Sequence, residues 1–239
     1  MNLIKEFLHH DKCSYLDNKE QTLHYKIIEN CSKECNHSLI EMGYRRFGKM
    51  YFRPICPLCD ECKSIKIDVE NFKWSKSKRR VLKKAKDIKI IIQKPSITYE
   101  HLELFKKYHL YKREKNGWEY HDVTYNGYYS SFVDGAYEYG YEVLYFYEDT
   151  LIGVDLIDIL PKGISSIYFY YDPDFAKYNL GKLSLYYQII MAKERGLKWI
   201  YLGYYVKDCP SLAYKAEYKP YLTLKGRPNS FDEVEWEEL

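Results

Sequence analysis

Three closely spaced cysteines could bind a metal ion. In the segment CPLCDEC, two residues separate Cys56 from Cys59 and Cys59 from Cys62, and this spacing lets thiolates converge on one tetrahedral ion. Such a site takes four ligands, and Cys13 is the best candidate for the fourth. The pattern predicts a zinc ion or an iron–sulfur cluster, with chance spacing as the alternative.

A basic stretch follows these cysteines. Residues 73–89 contain nine basic residues and one acid, Asp87. Val81, Leu82 and Ala85 are spaced to form a buried helical face, which leaves the basic side chains in solvent. Such side chains bind RNA phosphates, and a solvated helix face without a ligand is the alternative. The predicted phosphate contacts are Lys76, Lys78, Arg79, Arg80, Lys83 and Lys84.

A second anion-binding feature is predicted in the segment DPDFAKYNLGKLS, residues 172–184. A strand ends there and a helix begins, and Gly181 permits another molecule to approach the backbone closely. The first amides of a helix have no intrahelical partners, so they bind phosphates. We predict phosphate contacts at Gly181 and Lys182, and an ordinary helix start is the alternative.

The elements that would position these residues are those of an α/β protein. Strand-like runs surround a helical run with one largely apolar face, which Gly196 ends. The first two strands are joined by Glu148, Asp149 and Thr150, as in a short antiparallel hairpin. The predicted strands are residues 141–147, 151–160, 165–171 and 199–202, and the helix covers residues 183–194.

The composition of the chain changes at Pro95, where we place a domain boundary. Residues 1–95 form a Cys-rich, basic N-terminal domain, and residues 96–239 form the domain with most of the strand-like runs. Acidic side chains surround Trp236 in residues 232–239. A charge run of this kind is typical of a solvated tail.

Composition and charge restrict the class of protein. The chain has 239 residues, 46% of them hydrophobic, which suffices for a substantial core. The net charge of +3 requires any nucleic-acid site to be a local patch. The N-terminal stretch lacks the apolar run of a signal peptide or membrane span, so we expect a cytoplasmic protein that binds no membrane. Its seven cysteines argue against disulfides, and Cys31 and Cys35 either bind a metal separately or are buried.

Seven collinear stretches resemble the arginyl- and leucyl-tRNA:protein transferase family, in particular its bacterial aspartate/glutamate leucyltransferases. The match covers nearly the whole chain. Phe47 and Leu212 depart from the residues common in the family, but neither change removes a charge. Leu16 differs from the start typical of eukaryotic arginyltransferases and favours the leucyl branch. The stretches are CSYL at 13–16, GYRRFG at 43–48, YFRPICPLCDEC at 51–62, SKSKRRVLKK at 75–84, IDILPKGISSIYFYYDPD at 157–174, LGKLS at 180–184 and YLGYYVKDCPSLAYKAEYKP at 201–220.

The resemblance implies an N-acetyltransferase-like (GNAT) mixed sheet with helices, of α/β or α+β class, preceded by a Cys-rich domain of related α/β type. The 3′ end of an aminoacyl-tRNA would replace acetyl-coenzyme A, so transfer would require no free cofactor. The α-amine of a protein that begins with Asp or Glu would attack the aminoacyl ester. Because its pKa is about 8, this amine is partly neutral at neutral pH, so positioning and oxyanion stabilisation can carry the catalysis.

Five residues are candidates for the reaction itself. Arg45 and Arg46, with Lys215 next, would bind the acceptor's carboxylate through charge-assisted bonds, and surface charge is their alternative role. Asp158 lies in an apolar run, where it would hold the acceptor's ammonium or make a structural hydrogen bond. Tyr204 would protonate the leaving ribose oxygen or serve in packing.

Three other functions remain open from the sequence. An arginyl-tRNA:protein transferase would transfer arginine in place of leucine to the same acceptors. A small-amine N-acetyltransferase would bind acetyl-coenzyme A and need no tRNA. A non-enzymatic RNA-binding module would use the cysteine site and the basic helix without any transfer. The family resemblance implies that the new N-terminal Leu or Arg would mark the acceptor for degradation.

Overall fold

The structure, a computed structural model, describes residues 1–238 as two β-sheets with helices packed against them. The smaller sheet has four antiparallel strands in the order β1-β2-β4-β3. α1 begins after Ser32, whose side chain accepts a hydrogen bond from the Cys35 amide. These elements are β1 (Asn2–Lys12), β2 (Glu20–Glu29), α1 (Lys33–Glu41), β3 (Arg45–Phe47) and β4 (Met50–Pro54).

The larger sheet has eight strands in the described residues. Their order is β12-β11-β5-β10-β9-β8-β7-β6, and β9 and β10 pair in parallel. Its strands are β5 (Lys63–Asp68), β6 (Ile88–Gln93), β7 (Gly140–Tyr147), β8 (Thr150–Ile159), β9 (Gly163–Tyr171), β10 (Trp199–Tyr205), β11 (Tyr221–Leu224) and β12 (Trp236–Glu237). Its helices are α2 (Lys76–Lys84), α3 (Tyr99–Asn116), α4 (Tyr125–Tyr128), α5 (Leu180–Glu194) and α6 (Pro210–Ala213).

Each face of the larger sheet has its own hydrophobic core. On one face, Leu183 and Tyr186 of α5 and Val81 of α2 pack against the strands. On the other face, Leu104 of α3 and Phe132 pack against β7, β8 and β9. The basic helix α2 and the start of α5 therefore lie on the same face of the sheet.

The strands divide the chain differently from the predicted boundary at Pro95. β5 and β6 precede Pro95, yet β5 pairs with β10 and β11, and β6 pairs with β7. Ile65 and Ile67 of β5 are buried in the core of the larger sheet, which explains why β5 joins it. The smaller sheet ends at Pro54 and the larger begins at Lys63.

The predicted hairpin, third strand, helix and fourth strand are all confirmed, with small shifts at their ends. β7 and β8 pair antiparallel. α5 begins at Leu180, three residues before the predicted start at 183, because Asn179 adopts the left-handed conformation that ends the preceding turn. Gly196, with φ of +67°, follows the end of α5 as predicted.

The predicted solvated tail is partly structured. β12 pairs with β11, and the ring of Trp236 lies 4.1 Å from Lys66 Nζ. The tail's acids do stay near solvent, and Glu235 pairs with Lys225 at 2.8 Å. Leu239, the last residue of the predicted tail, lies outside the described residues.

The fold also shows the environment of Cys31. Cys31 is a core residue of the smaller sheet, 2% exposed, and its Sγ accepts a hydrogen bond from the Tyr51 hydroxyl. This placement matches the small-apolar alternative for Cys31. Within residues 1–238, no helix has the length and apolar character needed to cross a membrane.

Candidate active site

A gap between two strands of the larger sheet defines the candidate site. β9 and β10 pair from Gly163 and Trp199 to Ser165 and Tyr201, although both strands continue beyond this point. Gly203 follows the last pair and has a φ of +73°, a conformation that favours glycine. The diverging strands leave carbonyl groups of β9 free for other donors.

Arg45 of β3 enters this gap from the smaller sheet. Its Nη2 donates to the carbonyl oxygen of Ile167 at 2.7 Å, and its guanidinium lies 5.9 Å from the ring of Tyr204. A Cβ at position 203 would lie 2.6 Å from Arg45 Nε. Any other residue at position 203 would be strained by the positive φ, and its Cβ would clash with the Arg45 side chain where that side chain crosses β10.

Lys215 lies beside the backbone of Tyr204. Its side chain is buried, 6% exposed, and its Nζ donates to the carbonyl oxygen of Tyr204 at 2.6 Å. Burial, and then the nearby Arg45 guanidinium, lower the pKa of Lys215 well below its usual value. Within residues 1–238, neither Arg45 nor Lys215 forms an ion pair with a carboxylate. Two basic groups without a counterion thus flank Tyr204.

Tyrosine hydroxyls surround Arg45. Burial raises the pKa of Tyr15, Tyr168 and Tyr214, while the Arg45 guanidinium opposes the rise at each of them. The three phenols are therefore neutral hydrogen-bond donors at neutral pH. The sequence carried only a general signal for them, the count of 28 tyrosines.

A small cavity of about 20 Å³, room for about one water molecule, adjoins Arg45 between the two sheets. Donors dominate its polar lining, and none of the lining residues is Asp or Glu. A site rich in donors and lacking acids suits a negatively charged or carbonyl-bearing group. The polar lining residues are Arg45, Arg46, Ser64, Ser165, Ser166, Tyr44, Tyr201 and Trp236.

Arg46 and Asp158 form a buried ion pair, which corrects both predicted roles. Arg46 is 3% exposed and Asp158 is 0% exposed. Arg46 Nη2 and Nε donate to the two carboxylate oxygens at 2.6 and 2.8 Å, and Asn36 adds a third bond at 2.9 Å. Burial alone would lower the pKa of Arg46, but the Asp158 carboxylate outweighs it and raises that pKa.

The third guanidinium nitrogen of Arg46, Nη1, is engaged as well. It donates to the carbonyl oxygens of Gly48 and Gly135 at 2.7 and 3.1 Å. With every polar atom of the pair engaged inside the protein, Arg46 has no group left for an acceptor carboxylate and Asp158 none for an ammonium. We assign the pair to a structural role, in which it joins β3 of the smaller sheet to β8 of the larger.

Tyr204 also differs from its predicted role as a proton donor. Its hydroxyl donates to the carbonyl oxygen of Phe52 at 2.9 Å and lies 3.3 Å from that of Gly43. Burial raises the pKa of Tyr204 well above its usual value. A buried, occupied hydroxyl is poorly placed to protonate a leaving group, so Tyr204 serves to position β10 against β4.

The basic helix α2 forms as predicted, with one exception among its phosphate contacts. Lys76, Arg79, Arg80, Lys83 and Lys84 are exposed, and within residues 1–238 none of them forms an ion pair with a carboxylate. Lys78 is half-buried instead, because its Nζ donates to the Lys73 carbonyl at 2.9 Å and lies over the Phe72 ring.

The start of α5 offers free backbone donors beside this helix. Asn179 caps α5 without a side-chain hydrogen bond, and the amides of Leu180 and Gly181 have no acceptor in residues 1–238. A Cβ at Gly181 would meet no atom within 4 Å, so the turn is open. α2 and α5 are linked through Trp74 and Tyr186, whose rings lie 5.6 Å apart. Lys182 is exposed next to this turn.

The four predicted metal ligands line one cavity. The cavity has a volume of about 70 Å³, and it is lined by Cys13, Cys56, Cys59 and Cys62 together with Tyr204. Arg227 donates to the backbone carbonyls of Cys56, at 2.8 Å, and Cys59. Burial and the other three thiols raise the pKa of Cys62 to about 12. The donors are thus gathered in one place, yet within residues 1–238 no group of three is already arranged to hold a metal.

Comparison with known proteins identifies similar chains. The family described as "Arginine-tRNA-protein transferase, N terminus" matches residues 11–80, and its C-terminal counterpart matches residues 100–225. An aspartate/glutamate leucyltransferase of Campylobacter jejuni is 50% identical over 95% of each chain. That of Helicobacter hepaticus is 42% identical over 99% of this chain and 98% of its own. The crystal structure of FemX aligns with 96% of this chain and 82% of its own at 9% identity, with a TM-score of 0.46.

Proposed function

Because this chain belongs to the arginine-tRNA-protein transferase family, we propose that it transfers leucine from leucyl-tRNA to the N-terminal amine of proteins that begin with Asp or Glu. The leucyltransferase name of the similar bacterial proteins supports the reaction. The site feature that carries the proposal is the pair Arg45 and Lys215, which meets no carboxylate in the described residues. An acidic side chain of the acceptor would supply it.

The acceptor's carboxylate would bind between Arg45 and the Lys215 side chain. The guanidinium forms two parallel bonds with a carboxylate, which fixes direction as well as charge. The neutral phenols of Tyr15 and Tyr214 add donors without adding charge. The α-amine beside this anchored side chain would then be held close to the ester of the donor.

The fold supports a placement for the donor. We propose an N-acetyltransferase-like arrangement, since β9, α5 and β10 form a parallel crossover whose strands diverge at the site. The free amides of Leu180 and Gly181 would bind phosphates near the 3′ end. Exposed cations of α2, on the same face, would contact the tRNA backbone.

The reaction needs no cofactor by this account. The neutral α-amine attacks the carbonyl carbon of the leucyl ester, the new C–N bond forms, and the C–O bond to the ribose breaks. The ribose oxygen takes up the proton that the amine releases. The acceptor now begins with leucine, which we propose marks it for degradation in the cytoplasm, where the tRNA donor is found.

The leucyltransferase names of the similar bacterial proteins favour leucine over arginine as the transferred residue. Family membership also sets aside a small-amine acetyltransferase and a purely RNA-binding module.

A transfer assay tests the proposal. The protein is incubated with labelled leucyl-tRNA or arginyl-tRNA and with peptides that begin with Asp, Glu, Arg or Lys. We expect label on the Asp and Glu peptides from leucyl-tRNA. Label only on Arg or Lys peptides would contradict the acceptor assignment, and label only from arginyl-tRNA would contradict the donor.

Neutralising two residues of α2 is expected to weaken tRNA binding in a salt-dependent way. Affinity falls as salt rises, and each lost phosphate contact makes the slope of log affinity against log salt less steep by about 0.7–0.9. If both residues contact phosphate, the slope of the variant Lys83→Gln/Lys84→Gln should therefore be less steep by about 1.4–1.8. Leucyl-tRNA binding is measured over a range of salt concentrations. The control Lys5→Gln/Lys12→Gln removes two exposed lysines of β1, and an equal loss in both variants would disprove a specific role for α2.

The four thiols that line one cavity fit a soft metal, so we propose that they hold a zinc ion or an iron–sulfur cluster. The metal would fix the loops that carry Tyr15 and Cys59, and it would take no part in transfer. Protein prepared without chelators and without oxygen should contain about one metal site per chain. Cys59→Ser should lower the metal content and Cys35→Ser should not. Metal content near zero in the unmodified protein would contradict the proposal.

A further inference from the structure

The environment of Lys215 is poor for a positive charge. Its side chain is 6% exposed, and the one acceptor that its Nζ reaches in the described residues is the carbonyl oxygen of Tyr204, at 2.6 Å. A buried ammonium without a carboxylate costs much more free energy than a neutral amine does. A neutral amine still has hydrogens to donate, so it keeps the bond to Tyr204.

The charged and titratable groups around Lys215 add to this effect. From β3, the guanidinium of Arg45 repels a second positive charge, and it lowers the pKa of Lys215 further. From the turn before α6, the thiol of Cys209 is the one group that favours the charged form. Tyr204 of β10 contributes only its backbone carbonyl to Lys215. A thiol and a carbonyl do not replace a carboxylate counterion.

A carboxylate placed between Arg45 and Lys215 reverses this balance. It offsets the charge of Arg45 and offers Lys215 a direct partner, so the ammonium becomes the favoured form. Tyr214, the residue before Lys215, is 47% exposed, so the chain segment that carries Lys215 reaches the protein surface. The proton that Lys215 gains would then be taken up from solvent.

We propose that Lys215 is neutral in the free protein and takes up one proton when the acidic side chain of an acceptor binds beside Arg45. This inference rests on the proposed function. Binding of the acceptor's own carboxylate would cause Lys215 to become the second positive charge of the site. An acceptor with a neutral side chain meets a single cation, so the site distinguishes Asp and Glu from Asn and Gln by more than one ion pair.

The proposal gives acceptor binding a defined pH dependence. Lys215 has a lower pKa in the free protein than in the complex, so binding takes up a proton at pH values between the two. In that window the affinity for an acidic acceptor falls by up to about tenfold for each unit of rising pH. Below the window Lys215 is already charged, and the dependence disappears.

Calorimetry in two buffers with different ionisation enthalpies measures the proton directly. Peptides that differ only in a first residue of Asp or Asn are titrated into the full-length protein at one pH. For the Asp peptide we expect uptake of up to about one proton per site, and for the Asn peptide essentially none. Lys215→Arg should bind the Asp peptide without uptake, because arginine is always charged.

The outcomes distinguish the protonation of Lys215 from the proposed specificity for acidic acceptors. Binding of the Asp peptide without proton uptake by the unmodified protein would overturn the role of Lys215 and leave the acceptor assignment intact. Unchanged uptake in Lys215→Arg and in Lys215→Met would overturn it as well. Uptake on binding of a leucyl-tRNA acceptor-stem fragment, and not on binding of the peptide, would mean that the site holds a phosphate. No discrimination between the Asp and Asn peptides in binding or transfer would overturn the proposed acceptor itself.

Discussion

Arg46→Met is expected to destabilise the protein by about 3–5 kcal/mol, the cost of leaving one partner of a buried ion pair alone. Asp158 is 0% exposed, and Arg46 supplies two of the three hydrogen bonds to its carboxylate. The variant also frees the carbonyl oxygens of Gly48 and Gly135 from their donor. Equilibrium unfolding in urea measures the loss.

The double variant Arg46→Met/Asp158→Leu distinguishes a buried pair from two independent residues. Removing both charges avoids an uncompensated charge in the core, so the double variant should lose less stability than the sum of the single ones. Strict additivity would show that the two residues do not interact. A loss of less than about 1 kcal/mol in Arg46→Met would contradict the buried pair itself.

Arg45→Met is expected to leave the fold in place and to impair transfer selectively. Loss of a charged hydrogen-bonding partner for the acceptor costs about 2–3 kcal/mol, which is roughly 30- to 150-fold in kcat/KM for a peptide that begins with Asp. The bond to the Ile167 carbonyl is also lost, so the unfolding midpoint should fall slightly. Steady-state transfer of labelled leucine measures the effect.

Two controls show whether the charge and shape of Arg45 are responsible. Arg45→Lys keeps the charge but not the planar fork, so it should retain part of the activity toward Asp peptides. Arg45→Met should change transfer to an Asn peptide little, because that side chain brings no charge. Equal losses for the Asp and Asn peptides would assign Arg45 to the donor or to the fold.

Much of the larger sheet was predictable from local sequence. The hairpin of β7 and β8 and the strands on either side of α5 follow from alternating apolar residues and from the turn residues between them. The position of β5 was not predictable in this way. Its pairing with β10 joins residues more than 130 positions apart, for example Ile67 with Ile200, and no local pattern specifies so distant a partner.

The candidate site was predictable in residue type but not in role. Arg45 and Arg46 are neighbours on β3, and successive side chains of a strand point to opposite sides. One of them reaches the gap between β9 and β10, and the other is buried against Asp158. The sequence indicated that Asp158 needs a partner, since an acid in an apolar strand is costly alone. It could not indicate that Arg46 is that partner.

The central claim is that Arg45 and Lys215 at the gap select acceptors by their acidic side chain, and one comparison tests it most directly. Leucine transfer by the unmodified protein is measured with peptides identical except for a first residue of Asp, Glu, Asn or Gln. The kcat/KM should be at least about 30-fold higher for Asp and Glu than for their amides, since removing one partner of a buried charge pair costs on the order of 2–5 kcal/mol. Equal values for the acids and their amides would contradict the claim.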